Sequence, residues 1–194
     1  MKFDLIKVGF GYDSHRFLTK EELEKTKGGA IDTGTDYLDA NKPLIIGGVR
    51  IEGFPPFKAR SDGDVLIHAV MNAVLSALGD DKTRDIGTVF PNTDKANTNL
   101  SGKDMLLKTK ELLEEKGFVV TELKLMKKGS PKFDLGKAKE NIASVLGIEK
   151  ESILIQGTTG EELDDVGRGL GVEVFGICVL MKEKLIEKLN ELVK

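Results

Sequence analysis

Cysteine occurs once, at position 178, and histidine only twice, at 15 and 68. A lone cysteine rules out an intrachain disulfide and a thiolate metal cluster, and its place in the apolar run VEVFGICVL predicts a buried structural thiol. A long basic block is also missing: 29 Lys and Arg stand against 32 Asp and Glu, for a formal net charge of -3. Nucleic acid and anionic membranes therefore have no electrostatic footprint here. No apolar run approaches a membrane span, and MKFDLIKVGF is too short and polar for a secretory signal, so the expected location is cytoplasmic. The three-glycine pattern of a dinucleotide fold is absent as well, because GFGYDS lacks the last glycine and no helix pattern follows it.

What is present reads as one domain over 1–194, with no shift in composition along the 194 residues. Short apolar runs rich in β-branched residues at 3–10, 44–51, 119–127, 152–156 and 171–181 predict strands. Helical spacing marks DVLIHAVMNAVLSALG, GKDMLLKTKELLEEKG and DLGKAKENIASVLG, each closed by glycine, and MKEKLIEKLNELVK at the C-terminus. That order predicts an α/β (α+β) sandwich, a mixed sheet with helices mainly on one face. The polar, glycine-bearing stretch 18–42 is expected to be an exposed excursion, a short helix and then a loose hairpin.

Asp13 and His15 sit two apart at the end of the first strand, so period-two alternation puts both on one face. His68 lies in the helix that follows SDGD. One carboxylate and two imidazoles form a donor set of the catalytic-zinc kind, with a fourth position left open. A D-x-H pair also arises by chance, and a helix histidine also serves as a satisfied core residue, so on spacing alone both readings stand. For Asp62 and Asp64, helix capping is the preferred reading. QGTTGEELDDVGRGLG, at 156–171, follows a strand directly and offers backbone N–H groups and hydroxyls to a phosphate, with Glu161 as a hard oxygen ligand and Arg168 as a phosphate donor. An ordinary glycine-rich turn with solvated acids is the alternative. FPNTD and GSPKF read as turns.

Seven blocks in order, GFGYDSHRF, PLIIGGVRI, SDGDVLIHAVMNAVLSALG, DIGTVFPNTD, GSPK, GTTGEEL and GRGLGVEV, resemble the 2-C-methyl-D-erythritol 2,4-cyclodiphosphate synthase family over nearly the whole chain. The resemblance implies cyclisation of 4-diphosphocytidyl-2-C-methyl-D-erythritol 2-phosphate, with release of CMP, in the non-mevalonate isoprenoid pathway. The nucleophile is then the substrate's own 2-phosphate, consistent with the lack of a protein nucleophile beside a base. Asp13, His15 and His68 would hold one zinc per subunit, and Glu161 a magnesium or manganese ion. Gly157, Thr158 and Thr159 would contact the nucleotide phosphates, with Pro131 and Lys132 at the cytidine pocket. Asp85, Ile86, Gly87, Phe90, Asn92 and Asp94 would bind the methylerythritol phosphate end, with Arg60 and Ser61 near the transferring phosphate.

The resemblance further implies a cyclic homotrimer with sheets packed around the axis, active sites between subunits, and Arg168 lining a central cavity that can take an isoprenoid diphosphate. The sequence departs from the family pattern in several places. Arg60 stands where many members have histidine, Asn72 and Asn92 where aspartate is common, Leu170 where some have an acid, and the 18–42 excursion is long. Two rival readings use the same residues: a metal-dependent phosphohydrolase of nucleotide diphosphates, and a non-catalytic trimeric isoprenoid-diphosphate-binding protein.

Overall fold

Side chains alternate along the whole first strand, β1 (Ile6–Arg16): Gly9 and Gly11 are buried, whereas Ile6, Val8, Phe10 and Tyr12 are exposed. The computed structural model describes residues 4–34 and 36–192. After β1 come α1 (Lys20–Lys25), the short pair β2 (Ile31–Asp32) and β3 (Tyr37–Leu38), and the pair β4 (Leu44–Ile46) and β5 (Val49–Ile51). Helices α2 (Val65–Leu78), α3 (Ile86–Val89) and α4 (Gly102–Glu115) follow, then β6 (Phe118–Lys128), α5 (Leu135–Leu146), β7 (Ile153–Thr158), β8 (Gly171–Lys182) and α6 (Glu183–Leu192). The principal sheet runs β1-β8-β6-β7, antiparallel except for the parallel β6–β7 pair, which α5 connects as a crossover. The architecture is the mixed α/β arrangement expected from the sequence.

The core forms where α2 lies on β1 and β8. Asp64 caps this helix by accepting from the Ile67 N–H at 3.1 Å, and Gly79 ends it at φ 64. A Cβ on Gly9 would lie 2.0 Å from the Ala73 carbonyl oxygen, and one on Gly11 would lie 2.1 Å from that of Ala69. The two glycines of GFG therefore admit the helix backbone directly onto the strand, and Ala69, Ala73 and Ala77 keep the helix side of the contact small. Asp62 accepts from the Asp64 and Gly102 N–H groups, so the capping reading holds for both acids of SDGD. Cys178 is fully buried and its thiol is pushed up to about 12 by that burial, as a structural thiol should be.

Two expectations need correction. The run 44–51 is not one strand but a hairpin outside the principal sheet, because Gly47 and Gly48 take φ of 65 and 70 and turn the chain back, pairing Leu44 with Ile51. Asp64 clamps that turn, accepting from the Gly47 and Gly48 N–H groups at 2.7 and 2.6 Å. The 18–42 stretch does form a short helix and a hairpin, yet it is not merely exposed: Leu18 and Thr26 are buried, and Thr26 accepts from the Ala40 N–H. The C-terminal helix is described to Leu192, and its expected last two residues lie outside the described residues. Among the described residues no helix is long and apolar enough to cross a membrane.

Candidate metal centre and nucleotide loop

Asp13 and His15 both point from β1 toward α2, and the close glycine contact brings His68 against them. The Asp13 Oδ2 lies 3.0 Å from His68 Nδ1 and 3.1 Å from His15 Nε2, and the two imidazole nitrogens are 3.1 Å apart. Tetrahedral zinc with bonds of about 2.0–2.1 Å spaces its donors by about 3.3 Å, so this nearly equilateral triangle suits one face of such a site. These three residues are the candidate metal site among the described residues. Burial pushes the Asp13 carboxyl up, but hydrogen bonds and charge from His15 and His68 outweigh it and hold the group well below the usual carboxylate range. At His68 burial favours the neutral ring, and the hydrogen bond and charge of Asp13 overcome it and raise the pKa.

Ser61 Oγ lies 3.3 Å from the other nitrogen of His68, Nε2, and fixes which nitrogen faces Asp13. Ser61, His68 and Asp13 thus form a chain that looks like a hydrolytic triad, a feature the sequence did not reveal. His15 argues against that use. Its Nε2 meets the same Nδ1 and the same carboxylate oxygen, and three electron-pair donors converging on one point is the arrangement of a cation site.

A cavity of about 310 Å³ opens from this triangle. Arg60, Ser61, Ile86, Gly87, Phe90 and Asn92 line it, together with Asp36, Tyr37, Lys58, Asn97 and Met105, which sequence reasoning did not select. Asp85 and Asp94 are not among its lining residues: Asp85 caps α3 through Thr88, and Asp94 caps the Lys95–Asn97 turn through the Ala96 N–H. Asn72 spends both ends of its amide on backbone, donating to the Tyr12 carbonyl and accepting from the Ile86 N–H.

The threonine loop opens elsewhere. Pro131, Lys132, Gly157, Thr158, Thr159 and Glu161 line a cavity of about 570 Å³ that shares no lining residue with the first. Thr159 Oγ1 donates to the Glu161 carboxylate at 2.9 Å and accepts from the Glu161 N–H at 3.3 Å. Glu161 and Glu162 take φ of 49 and 59, left-handed values that cost a non-glycine residue about 1 kcal/mol or more each, a strain typical of ligand loops. A single carboxylate here suits a magnesium ion that takes its other ligands from water and substrate oxygens. Beneath the loop Lys127 is 5 % exposed, donates to the Gly129 and Pro131 carbonyls, and is lowered to about 8 by burial. The signal for it was a lysine on the inward register of β6, after Leu123 and Leu125. Arg168 lines neither cavity and pairs with Asp165 at 2.7 Å.

The YgbB family model matches residues 6–181. The 2-C-methyl-D-erythritol 2,4-cyclodiphosphate synthase of Francisella tularensis subsp. novicida is 33% identical over 91% of this chain and 98% of its own length. That of Brachyspira hyodysenteriae is 29% identical over 92% and 100%. Among solved structures, the bifunctional IspDF from Campylobacter jejuni superposes with a TM-score of 0.74 at 30% identity, covering 91% of this chain and 42% of that longer one. The CDP complex of IspF from Plasmodium falciparum gives 0.70 at 26% identity, over 94% and 99%. With a family model spanning the metal triangle and the threonine loop alike, and relatives matched nearly end to end, the chain belongs to the YgbB family of 2-C-methyl-D-erythritol 2,4-cyclodiphosphate synthases.

Proposed function

We propose that the protein converts 4-diphosphocytidyl-2-C-methyl-D-erythritol 2-phosphate to 2-C-methyl-D-erythritol 2,4-cyclodiphosphate and CMP, as a phosphorus–oxygen lyase of isoprenoid precursor synthesis. The observation that carries this reading is the Asp13–His15–His68 triangle opening into one cavity while the threonine–glutamate loop opens into another. A substrate with a phosphate at one end and a nucleotide at the other can be gripped from both sides by such a pair. The CDP bound in the Plasmodium falciparum structure supports a cytidine-containing substrate.

Zinc held by Asp13, His15 and His68, and magnesium or manganese held by Glu161, supply Lewis-acid polarisation and charge neutralisation on phosphate oxygens when bound. The chain's own residues do the positioning. Asp13 stays ionised and available as a donor, while Ser61 keeps the His68 ring oriented. Thr159 holds the Glu161 carboxylate, and Lys127 anchors the carbonyls of the 129–131 turn beside the nucleotide cavity. No nucleophile need come from the protein, because attack within one substrate depends on alignment and electrostatic stabilisation.

A cyclic homotrimer of single-domain subunits completes this reading. The sheet face away from α2 carries Val8 at 66% exposure and Phe10 at 57%, with Ile6, Tyr12, Phe175 and Ile177 also exposed. So continuous an apolar row supports a sheet packed against copies of itself around an axis, in a cytoplasmic enzyme. Neighbouring chains would then bring the two half-sites together. Arg168 remains the candidate contact for an isoprenoid diphosphate on that axis, a contact that would compete with Asp165.

Phosphorus NMR of the cytidyl substrate with the purified protein tests the function. The expected spectrum gains a cyclic diphosphate and CMP in equal amounts. Linear methylerythritol phosphates as the main product would overturn the cyclase and favour the phosphohydrolase.

A further inference from the structure

The 18–42 excursion does more than decorate the surface. Lys42 Nζ donates to three consecutive carbonyls, those of Ala59, Arg60 and Ser61, at 2.8, 3.1 and 2.5 Å. Three donors meet three acceptors, so the ammonium is fully satisfied by backbone. The same Nζ lies 4.4 Å from the centre of the Tyr37 ring, and the Arg60 guanidinium approaches that ring at 5.7 Å. Arg60 in turn forms a two-pronged pair with Asp32 at 2.9 and 2.8 Å and reaches the Gly34 carbonyl at 3.2 Å. Its side chain is 7% exposed, and its charge is matched by a carboxylate of the excursion.

The held segment forms part of the wall of the metal pocket. Ser61 orients His68, and Tyr37, Arg60 and Ser61 all line the cavity that opens from the triangle. The segment is also tied across to the 97–100 turn, with the Asp62 N–H donating to the Leu100 carbonyl and the Asn99 N–H to that of Arg60. Tyr37 OH accepts from Asn99 Nδ2 at 3.3 Å.

We propose that Lys42, Tyr37 and Asp32 are positioning residues: they latch the 59–61 segment in its pocket-lining form before ligand arrives, and so set the affinity of the metal pocket for the phosphate-bearing, non-nucleotide end of the substrate. The affinity clause rests on the cyclase reading; the latch does not. In this arrangement Arg60 serves as an anchor of the latch through Asp32. Holding the segment in advance removes an ordering cost from binding, so its loss falls on KM more than on kcat.

The test uses the full-length protein with Lys42→Met, which keeps the length of the side chain and removes the donors, and Asp32→Asn as a second, independent break. Hydrogen exchange without substrate is read at the Asp62 and Asn99 amides, with the α2 amides as the internal reference. The latch predicts at least about tenfold faster exchange at those two amides, unchanged exchange in α2 and unchanged metal content. It further predicts a KM raised about tenfold with kcat within about threefold. If Lys42→Met fails to fold, Asp32→Asn carries the same expectation. Exchange unchanged in the folded variants overturns the latch, and a raised KM with unchanged exchange does so too, because it would make Lys42 a direct substrate contact. Faster exchange in a protein with no cyclase activity would sustain the latch and overturn the functional reading instead.

Discussion

His68→Ala is expected to purify with almost no zinc and to lose about a thousandfold in turnover. The loss follows from geometry, since the chain has two histidines and both already belong to the triangle, leaving no imidazole to replace the missing one. Metal-assisted charge stabilisation on a phosphoryl group contributes several kcal/mol, and about 1.4 kcal/mol corresponds to each tenfold in rate. Ser61→Ala is the informative companion. Ser61 Oγ meets His68 at its far nitrogen and also accepts from the Gly63 N–H, but it is not one of the three donors of the triangle. Removing its hydroxyl should therefore leave zinc bound and reduce turnover by about 10–100-fold at most, the usual size of an outer-shell effect. Elemental analysis and initial rates on both variants decide the matter. A zinc-replete Ser61→Ala protein as inactive as His68→Ala would contradict a merely orienting role and make the serine hydroxyl a direct contact of the reacting phosphate.

Gly11→Ala, far smaller as a chemical change, is expected to be among the most disruptive substitutions in the fold. The added Cβ would lie 2.1 Å from the Ala69 carbonyl oxygen and 2.5 Å from the Ala73 nitrogen. Both are backbone atoms of α2, so no side chain can turn aside, and the helix must retreat by roughly 1 Å or more to regain normal contact. Overpacking of this kind costs about 3 kcal/mol, which for a chain of this size lowers Tm by about 6–12 °C. His68 precedes Ala69 on the displaced helix, so the triangle opens and zinc affinity falls with stability. Gly28→Ala, where nothing lies within 4 Å, is the control and should move Tm by about 1 °C or less. Calorimetry on the two variants with and without zinc would expose a wrong account as equal Tm values and equal metal content.

How much of this was legible in the sequence depends on the kind of interaction. Period-two alternation put Asp13 and His15 on one face of β1, and helical spacing put His68 on α2, because backbone geometry alone fixes those directions. The closing glycine of α5, Gly147, was equally plain, since capping is local chemistry, whereas the Asp134 cap emerges only from the structure. Contacts between segments distant in the chain were not. GFG was noticed as a motif, but its purpose, admitting the α2 backbone, appears only once the helix is laid on the strand. The 44–51 run looked like one strand because apolar residues flank Gly47 and Gly48 evenly, and only the positive φ of both glycines turns it back. The excursion looked solvated because it is polar, and pairs such as Lys25–Glu21 and Lys27–Glu24 are exposed, whereas two of its charges hold the pocket segment: Lys42 on three carbonyls and Asp32 on Arg60. Composition counts polar groups and cannot say which of them find partners inside.

In the proposed trimer one chain supplies two half-sites, the metal triangle and the threonine loop, and a working site would take one from each of two neighbouring subunits. The two cavities share no lining residue, so a subunit lacking one half keeps the other intact. In a cyclic trimer each interface is head-to-tail, and a His68→Ala subunit beside a Glu161→Ala subunit leaves one site whole in one of the two orders. The decisive measurement unfolds the two inactive variants, refolds them together in equal amounts, and assays the mixture. Random assembly joins two intact halves at about a quarter of interfaces, so activity should rise toward about a quarter of wild type. Mixed trimers seen by native mass spectrometry, with no more activity than either variant alone, would contradict the shared site and place both metals within one subunit.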